Sequence, residues 1–178
     1  MKLAEEKVRG ERIFDGAIVR LEVDQVRLPN GENARREVVY HPGGVAVLAL
    51  DGQKMVTLVR QFRYPIGQEL LELPAGKLDP GEEHALAAAR ELSEETGLEA
   101  GEMTYLGNIL VSPGFCTERL HMYLARDLVR KGQHLDEDEF LDVVTMPFDR
   151  LTQLVMDGEI EDAKTVACVL KTKVLLGL

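Results

Sequence analysis

Gly76 to Leu98, GKLDPGEEHALAAARELSEETGL, gathers glutamates and one arginine in an order that a purely structural helix would avoid. Glu91, Glu94 and Glu95 stand at i, i+3 and i+4, so a helix carries Glu91 and Glu95 one above the other on a single face. Like charges at that spacing repel. The same residues fall in the last turn before Gly97, a left-handed cap, where the negative pole of the helix dipole disfavours carboxylates. A positive group has to offset both effects. Carboxylate oxygens with no histidine or cysteine among them suit a hard cation of the Mg²⁺ or Mn²⁺ type, not zinc or copper.

The elements that must position these groups follow from the flanking residues. Asp79-Pro80-Gly81-Glu82 reads as a capping box, with Asp79 as N-cap, Pro80 at the first helical position and Glu82 returning to the cap amide. The predicted helix runs from Pro80 to Thr96, with Ala85, Leu86, Ala88, Ala89 and Leu92 as its apolar side. Arg90, next to Glu91 and four residues before Glu94, is placed to hold the carboxylates. Taken together, Gly76, Glu82, Arg90, Glu91, Leu92, Glu94, Glu95, Gly97 and Leu98 match every specified position of the signature box of the Nudix hydrolases, and the chain resembles that family, in particular its ADP-ribose pyrophosphatase-like group.

The resemblance implies an α+β fold, a Nudix α/β/α sandwich around a mixed β-sheet, and an enzyme that cleaves a diphosphate with Mg²⁺ or Mn²⁺. By it, the metal ligands are the Ala75 carbonyl, Glu91, Glu95 and, directly or through water, Glu94. A loop between the box and the last helices brings a further glutamate to the metals and the attacking water. The run Asp136-Glu137-Asp138-Glu139 is an ordinary solvated loop by composition. By resemblance it supplies Glu139 as metal-associated and Glu137 as general base, or the reverse. Catalysis is then assigned to Glu137, Glu139, Glu95 and Arg90.

Residues 11 to 41 read as antiparallel strands, with alternation over residues 17 to 24 and a turn at Pro29-Asn30-Gly31. A sheet of this size needs something to pack on. In relatives acting on nucleotide sugars a similar N-terminal sheet packs across a homodimer. The expected organisation is an N-terminal β-sheet extension over residues 1–41, dimer-forming, and a hydrolase domain over residues 42–178. Val45 to Leu50 and Lys54 to Arg63, turned at Asp51-Gly52, are near-continuously apolar and read as central strands. Arginines at the end of that second strand suit diphosphate oxygens, which the planar guanidinium meets bidentately, although a solubilising strand edge explains any single one as well. Similarity carries over Arg63 and Arg36 as substrate contacts. Pro113, 16 residues beyond Gly97, sits where the ADP-ribose group has a proline. Strands are expected over residues 103–111, 120–125 and 140–144. Two helices follow: one from Pro147 to Met156, and one capped by Asp162 from Ala163 to Leu176 with Val166, Val169, Leu170 and Val174 facing inward. Glu72 and the four histidines read as structural.

The chain has 178 residues, 45% hydrophobic content and a net charge of −10. That is enough for one core. The charge argues against nucleic acid or an anionic membrane as partner, since either needs a basic patch. A small anionic substrate stays compatible, because a bound divalent ion inverts the local field. Two widely separated cysteines, Cys116 and Cys168, point to a reducing compartment, and no leader or membrane-spanning run is visible, so a cytoplasmic location is expected. The expected reaction is hydrolysis of ADP-ribose to AMP and ribose 5-phosphate. The alternatives are another nucleoside diphosphate such as GDP-mannose or NADH, or a non-catalytic nucleotide-binding module.

Overall fold

The computed structural model describes residues 3–135 and 139–178. Two compact units are formed, one from Met1–Gly43 with Leu110–Arg119, the other from Gly44–Ile109 with Leu120–Leu178.

The first unit is an antiparallel sheet of β1 (Glu6–Asp15), β2 (Arg20–Arg27) and β3 (Asn33–Tyr40), in that spatial order. The turn expected at Pro29-Asn30-Gly31 is present: Gly31 N–H donates to Leu28 O at 2.9 Å, with Gly31 at φ +88°. The alternation over residues 17–24 does not mark one strand. Residues 16–19 form the reversal between β1 and β2, closed by Gly16 N–H on Val19 O at 3.0 Å, and β2 begins at Arg20. The returning segment is tied to β3, with Val39 N–H on Phe115 O at 2.7 Å and Thr117 N–H on Val39 O at 2.9 Å. Every residue of β1 is exposed, including Val8, Ile13 and Phe14.

The second unit holds a mixed sheet in the order β10-β5-β4-β9-β8, with β6 paired to β5 and β7 to β4. Its strands are β4 (Gly44–Leu50), β5 (Met55–Arg63), β6 (Gln68–Glu72), β7 (Ala75–Lys77), β8 (Leu98–Leu110), β9 (Arg119–Arg130) and β10 (Leu141–Pro147). β4 runs parallel to β9 and antiparallel to β5 and β7, and it is buried along its whole length. This explains its unbroken run of Val, Leu and Ala: both faces of a central strand are covered. Val45, Val47 and Ala49 face Ala87, Ala88 and Leu92 of α1 (His84–Thr96). Leu48 and Leu50 face the other way, towards Phe148 and Leu151 of α2 (Phe148–Met156) and Cys168 and Val169 of α3 (Ala163–Leu176). The period-two alternation of one strand thus builds the α/β/α sandwich.

Several boundaries differ from expectation for local reasons. α1 starts at His84, not Pro80. Asp79-Pro80-Gly81-Glu82 is a β-turn, with Glu82 N–H on Asp79 O at 3.0 Å and Gly81 at φ +80°. Proline then glycine at the two central positions suits a type II turn, and a glycine in that region ends a helix instead of beginning one. The return of the Glu82 carboxylate to the Asp79 amide, at 3.0 Å, forms all the same. The buried face of α1 is Ala87, Ala88, Glu91, Leu92 and Glu95, while Leu86 and Ala89 are exposed. β8 begins at once after the helix, and β10 starts at Leu141 with Phe140 exposed. α3 is capped by Asp162, which accepts from Thr165 N–H at 3.0 Å, but Val174 points to solvent.

Gly97 ends α1 at φ +69°, and a Cβ there would lie 2.8 Å from the backbone of both Gly132 and Gln133. Left-handed backbone costs a residue with a side chain about 1–2 kcal/mol before any clash. Gly97→Ala is therefore expected to destabilise the protein by at least about 1–2 kcal/mol, read as a lowered urea midpoint at unchanged slope.

Candidate active site

Glu91 and Glu95 lie on the inner face of α1, and Glu94 lies at its half-exposed edge. Glu91 is 7% exposed and Glu95 2%. The helix phase that buries Ala88 and Leu92 carries these two inward with them, so the alanines and the glutamates share one face. Opposite them lies the β7 strand. Ala75 N–H donates to Glu95 Oε2 at 3.0 Å. Gly76 lies so close to Glu91 that a Cβ would stand 1.9 Å from Oε1.

Arg90 ties the outer part of the site together. Its Nη1 donates to Glu91 Oε1 at 2.8 Å and to Glu94 Oε2 at 2.9 Å, while Nε and Nη2 each reach the Glu82 carboxylate at 3.0 Å. One guanidinium thus links the turn before the helix to two carboxylates in its last two turns, a planar fork used on both edges. This offsets the repulsion expected at i, i+4.

Burial dominates the electrostatics. It raises the Glu95 pKa to about 8, with the charges of Glu91 and Glu139 adding to it and the Ala75 amide and Arg63 opposing. Burial likewise raises Glu91, helped by Glu94 and Glu139 and opposed by Arg90. A carboxylate pair buried this way favours a further positive charge brought beside it. The donor set is all oxygen and the missing side chain of Gly76 leaves its place to the Glu91 carboxylate, so the residues fit a hard divalent ion. Among the described residues no three acidic, histidine or cysteine side chains converge as a closed cage, and Arg90 takes oxygens of Glu91 and Glu94.

The second unit brings together Ala75, Arg90, Glu91, Glu94, Glu95 and Arg63, and Glu139 is close enough for its charge to act on Glu91 and Glu95. Glu137 lies outside the described residues. Arg36 and Pro113 belong to the first unit. There Arg36 is engaged by Glu5, Nε to Oε2 at 3.0 Å and Nη2 to Oε1 at 2.6 Å, and Pro113 stands in the turn in which Cys116 N–H reaches Ser112 O at 2.9 Å. The Arg63 guanidinium is held by Glu72.

Two further contributors have no sequence signature. The segment after β9 closes the C-terminal end of α1: Gln133 Nε2 donates to Glu95 O at 2.7 Å, His134 N–H to Glu94 O at 3.0 Å and Lys131 N–H to Gly97 O at 2.8 Å. These satisfy carbonyls that a helix end leaves without partners. A single glutamine in a loop carries no pattern by which to find it. Glu72 is the other, buried beside Lys164.

Among known proteins, the NUDIX domain family matches residues 40–167. The chain is 44% identical over 171 residues to the methanol dehydrogenase activator of Bacillus methanolicus, covering 94% of this chain and 92% of that one. It is 43% identical over 172 residues to the ADP-ribose pyrophosphatase of Bacillus subtilis, covering 95% and 93%. A crystal structure described as an ADP compounds hydrolase superposes with a TM-score of 0.86 at 23% identity, covering 99% of this chain and 97% of the other, and so shares the fold. Members of the family generally need a divalent metal. With the match of its box, the residues it spans and this fold, the chain belongs to the Nudix hydrolase family.

Proposed function

We propose that the protein hydrolyses the diphosphate of ADP-ribose to AMP and ribose 5-phosphate with Mg²⁺ or Mn²⁺. The observation that carries this reading is the buried Glu91 and Glu95 pair beside Gly76, complete in every carboxylate of the box, in a chain 43% identical to an ADP-ribose pyrophosphatase along nearly its full length. The same completeness speaks against a non-catalytic nucleotide-binding module.

The ion would be held by Glu91, Glu95 and the Ala75 carbonyl, with Glu94 directly or through water. When bound, it would neutralise the diphosphate and lower the pKa of an attacking water. The remaining work falls to the chain itself. Arg90 fixes Glu91 and Glu94, and the Ala75 amide fixes Glu95. Arg63 binds phosphate oxygens. A glutamate of the acidic loop, Glu137 or Glu139, takes the proton from water as it attacks, and such general-base assistance contributes about 10² to 10⁴ in rate. Arg36 and Pro113 are assigned to substrate binding by similarity.

The protein is further proposed to act as a homodimer through its N-terminal sheet, residues 1–41, with residues 42–178 as the catalytic domain. The support is β1, a strand exposed at all ten residues with apolar Val8, Ile13 and Phe14 among them, more than an isolated sheet of three strands normally leaves uncovered. Cys116 and Cys168 are free thiols, which supports the cytoplasm, and among the described residues no helix is long and apolar enough to cross a membrane.

Phosphate-coupled turnover of ADP-ribose, GDP-mannose and NADH with each ion tests the reading. Preference for ADP-ribose is the expected outcome. Preference for another substrate would keep the mechanism and overturn the specificity, and no metal-dependent turnover of any of them would overturn both.

A further inference from the structure

Behind Arg63 lies a buried ionic network that diphosphate chemistry does not by itself require. Glu72, the last residue of β6, is 0% exposed. Its Oε1 accepts from Arg63 Nε at 2.7 Å and its Oε2 from Nη2 at 2.8 Å. Lys164, itself 7% exposed, also donates to Oε2 and reaches Asp162 Oδ1 at 3.0 Å. Thr165 completes the network, donating from its hydroxyl to Asp162 Oδ2 at 2.5 Å and accepting Leu73 N–H at 2.9 Å. The cluster therefore joins the strand that leads into the box to the start of α3.

The strand register makes the Arg63 contact informative. On β5, Val59 stands opposite Glu72 and Arg63 opposite Gln68, so Arg63 shares a sheet face with Glu72 but lies four residues along. Its side chain has to run back along the strand to meet the carboxylate. An arginine whose side chain is 37% exposed gains little from a surface pairing, and solvation alone would leave it free. Here a fully buried carboxylate, anchored from behind by Lys164, grips the Nε and Nη2 edge of the guanidinium. Among the described residues, that edge is the one that is hydrogen-bonded. Glu72 stands three residues before Ala75, whose N–H reaches Glu95 Oε2 at 3.0 Å, so the guanidinium it grips is held beside the chain that enters the candidate site. A long side chain ordered in advance does not have to be ordered by the ligand.

We propose that Glu72, backed by Lys164, is a positioning residue that presents the Arg63 guanidinium to the substrate diphosphate. The inference rests on the diphosphate hydrolase reading above. Glu72 touches neither substrate nor metal in this role. Its effect should therefore pass through Arg63 and appear in substrate binding more than in the chemical step.

The test measures KM and kcat for ADP-ribose, together with urea midpoints, in Glu72→Gln, Arg63→Ala, the two combined, and Glu72→Gln with Lys164→Met. Glu72→Gln is expected to raise KM about 10-fold, as loss of a supporting hydrogen bond does, with kcat changed less than about 2-fold. In the Arg63→Ala background the same substitution should add less than about 2-fold, because the residue it acts through is gone. Removing the Lys164 charge as well relieves a buried ammonium that has lost its Glu72 partner and keeps Asp162 at 3.0 Å, so the urea midpoint should move back towards wild type while KM stays raised. Full multiplication of the Glu72 and Arg63 effects would overturn the proposal. Recovery of wild-type KM in the Glu72→Gln, Lys164→Met pair would overturn it too, since stability alone would then explain the defect. Failure of the wild type to hydrolyse any diphosphate in the panel is visible without a variant; it removes the functional reading and this inference with it.

Discussion

Glu95→Gln is expected to lower kcat/KM for ADP-ribose by more than about 100-fold, beyond the 10- to 100-fold typical of residues that merely support a metal ligand. The amide keeps nearly the same shape and still accepts the Ala75 N–H that reaches Oε2 at 3.0 Å. What it loses is the capacity for negative charge, at a position 2% exposed. The same substitution should leave the metal-free protein as stable as the wild type or more so, because it removes a carboxylate that burial strains. The sign of the pH dependence follows. Burial raises the Glu95 pKa from 4.5 to about 8, so the native state keeps a proton that the unfolded chain releases at lower pH. Without metal, the contribution of this group to stability is greatest below 4.5 and is lost progressively as pH rises to about 8. Urea denaturation at pH 5 and pH 8 should show that decline in the wild type and its weakening in Glu95→Gln. Added Mg²⁺ should reverse it in the wild type alone. An unfolded variant would refute the catalytic assignment.

Gly76→Ala should separate activity from stability in the other direction. Gly76 lies in β7, paired with Val45, with no left-handed backbone to protect. Its importance is spatial: an added Cβ would stand 1.9 Å from Glu91 Oε1 and 2.0 Å from its Cδ. The atoms it meets are the far end of a side chain, so Glu91 can swing aside and the fold is retained. Swinging aside breaks the 2.8 Å bond to Arg90 Nη1 and withdraws an oxygen from the face proposed to hold the ion. A displacement of about 1 Å at such a site can cost on the order of 100-fold in rate, which is the expected loss in kcat/KM. Circular dichroism and the urea midpoint should change little. A variant with near wild-type turnover would show that Glu91 has room to spare and would overturn the account of the glycine.

Much of this was legible in the residues. The glutamate spacing pointed to the candidate site, Val45 to Leu50 marked the central strand, and Pro147 and Asp162 marked the last two helices, because each signal depends on a few adjacent positions. The capping-box reading failed over Pro80-Gly81, where the same residues serve a turn equally well and only the chain on either side decides between the two. The helix phase failed for a related reason: alanines are placed on almost every side of α1, so the sequence pattern does not say which of them meets the sheet. Val174 faces solvent while Leu176 of the same turn packs on the core, so an apolar residue type there does not by itself report which side of the helix is covered.

The sequence by itself determined the chemistry: hard oxygen donors at helical spacing, a glycine before them, an arginine among them and a family in which those residues recur together. Only the tertiary structure decided that Glu91 and Glu95 share the buried face with Ala87 and Ala88, that the segment at Gln133 closes the helix end, and that Arg63 is gripped by a carboxylate in a neighbouring strand with a lysine 92 residues further on behind it. Burial, and the pKa shifts that follow from it, depend on which surfaces meet when the sheet and helices pack, and contacts between residues so far apart leave no periodicity along the chain.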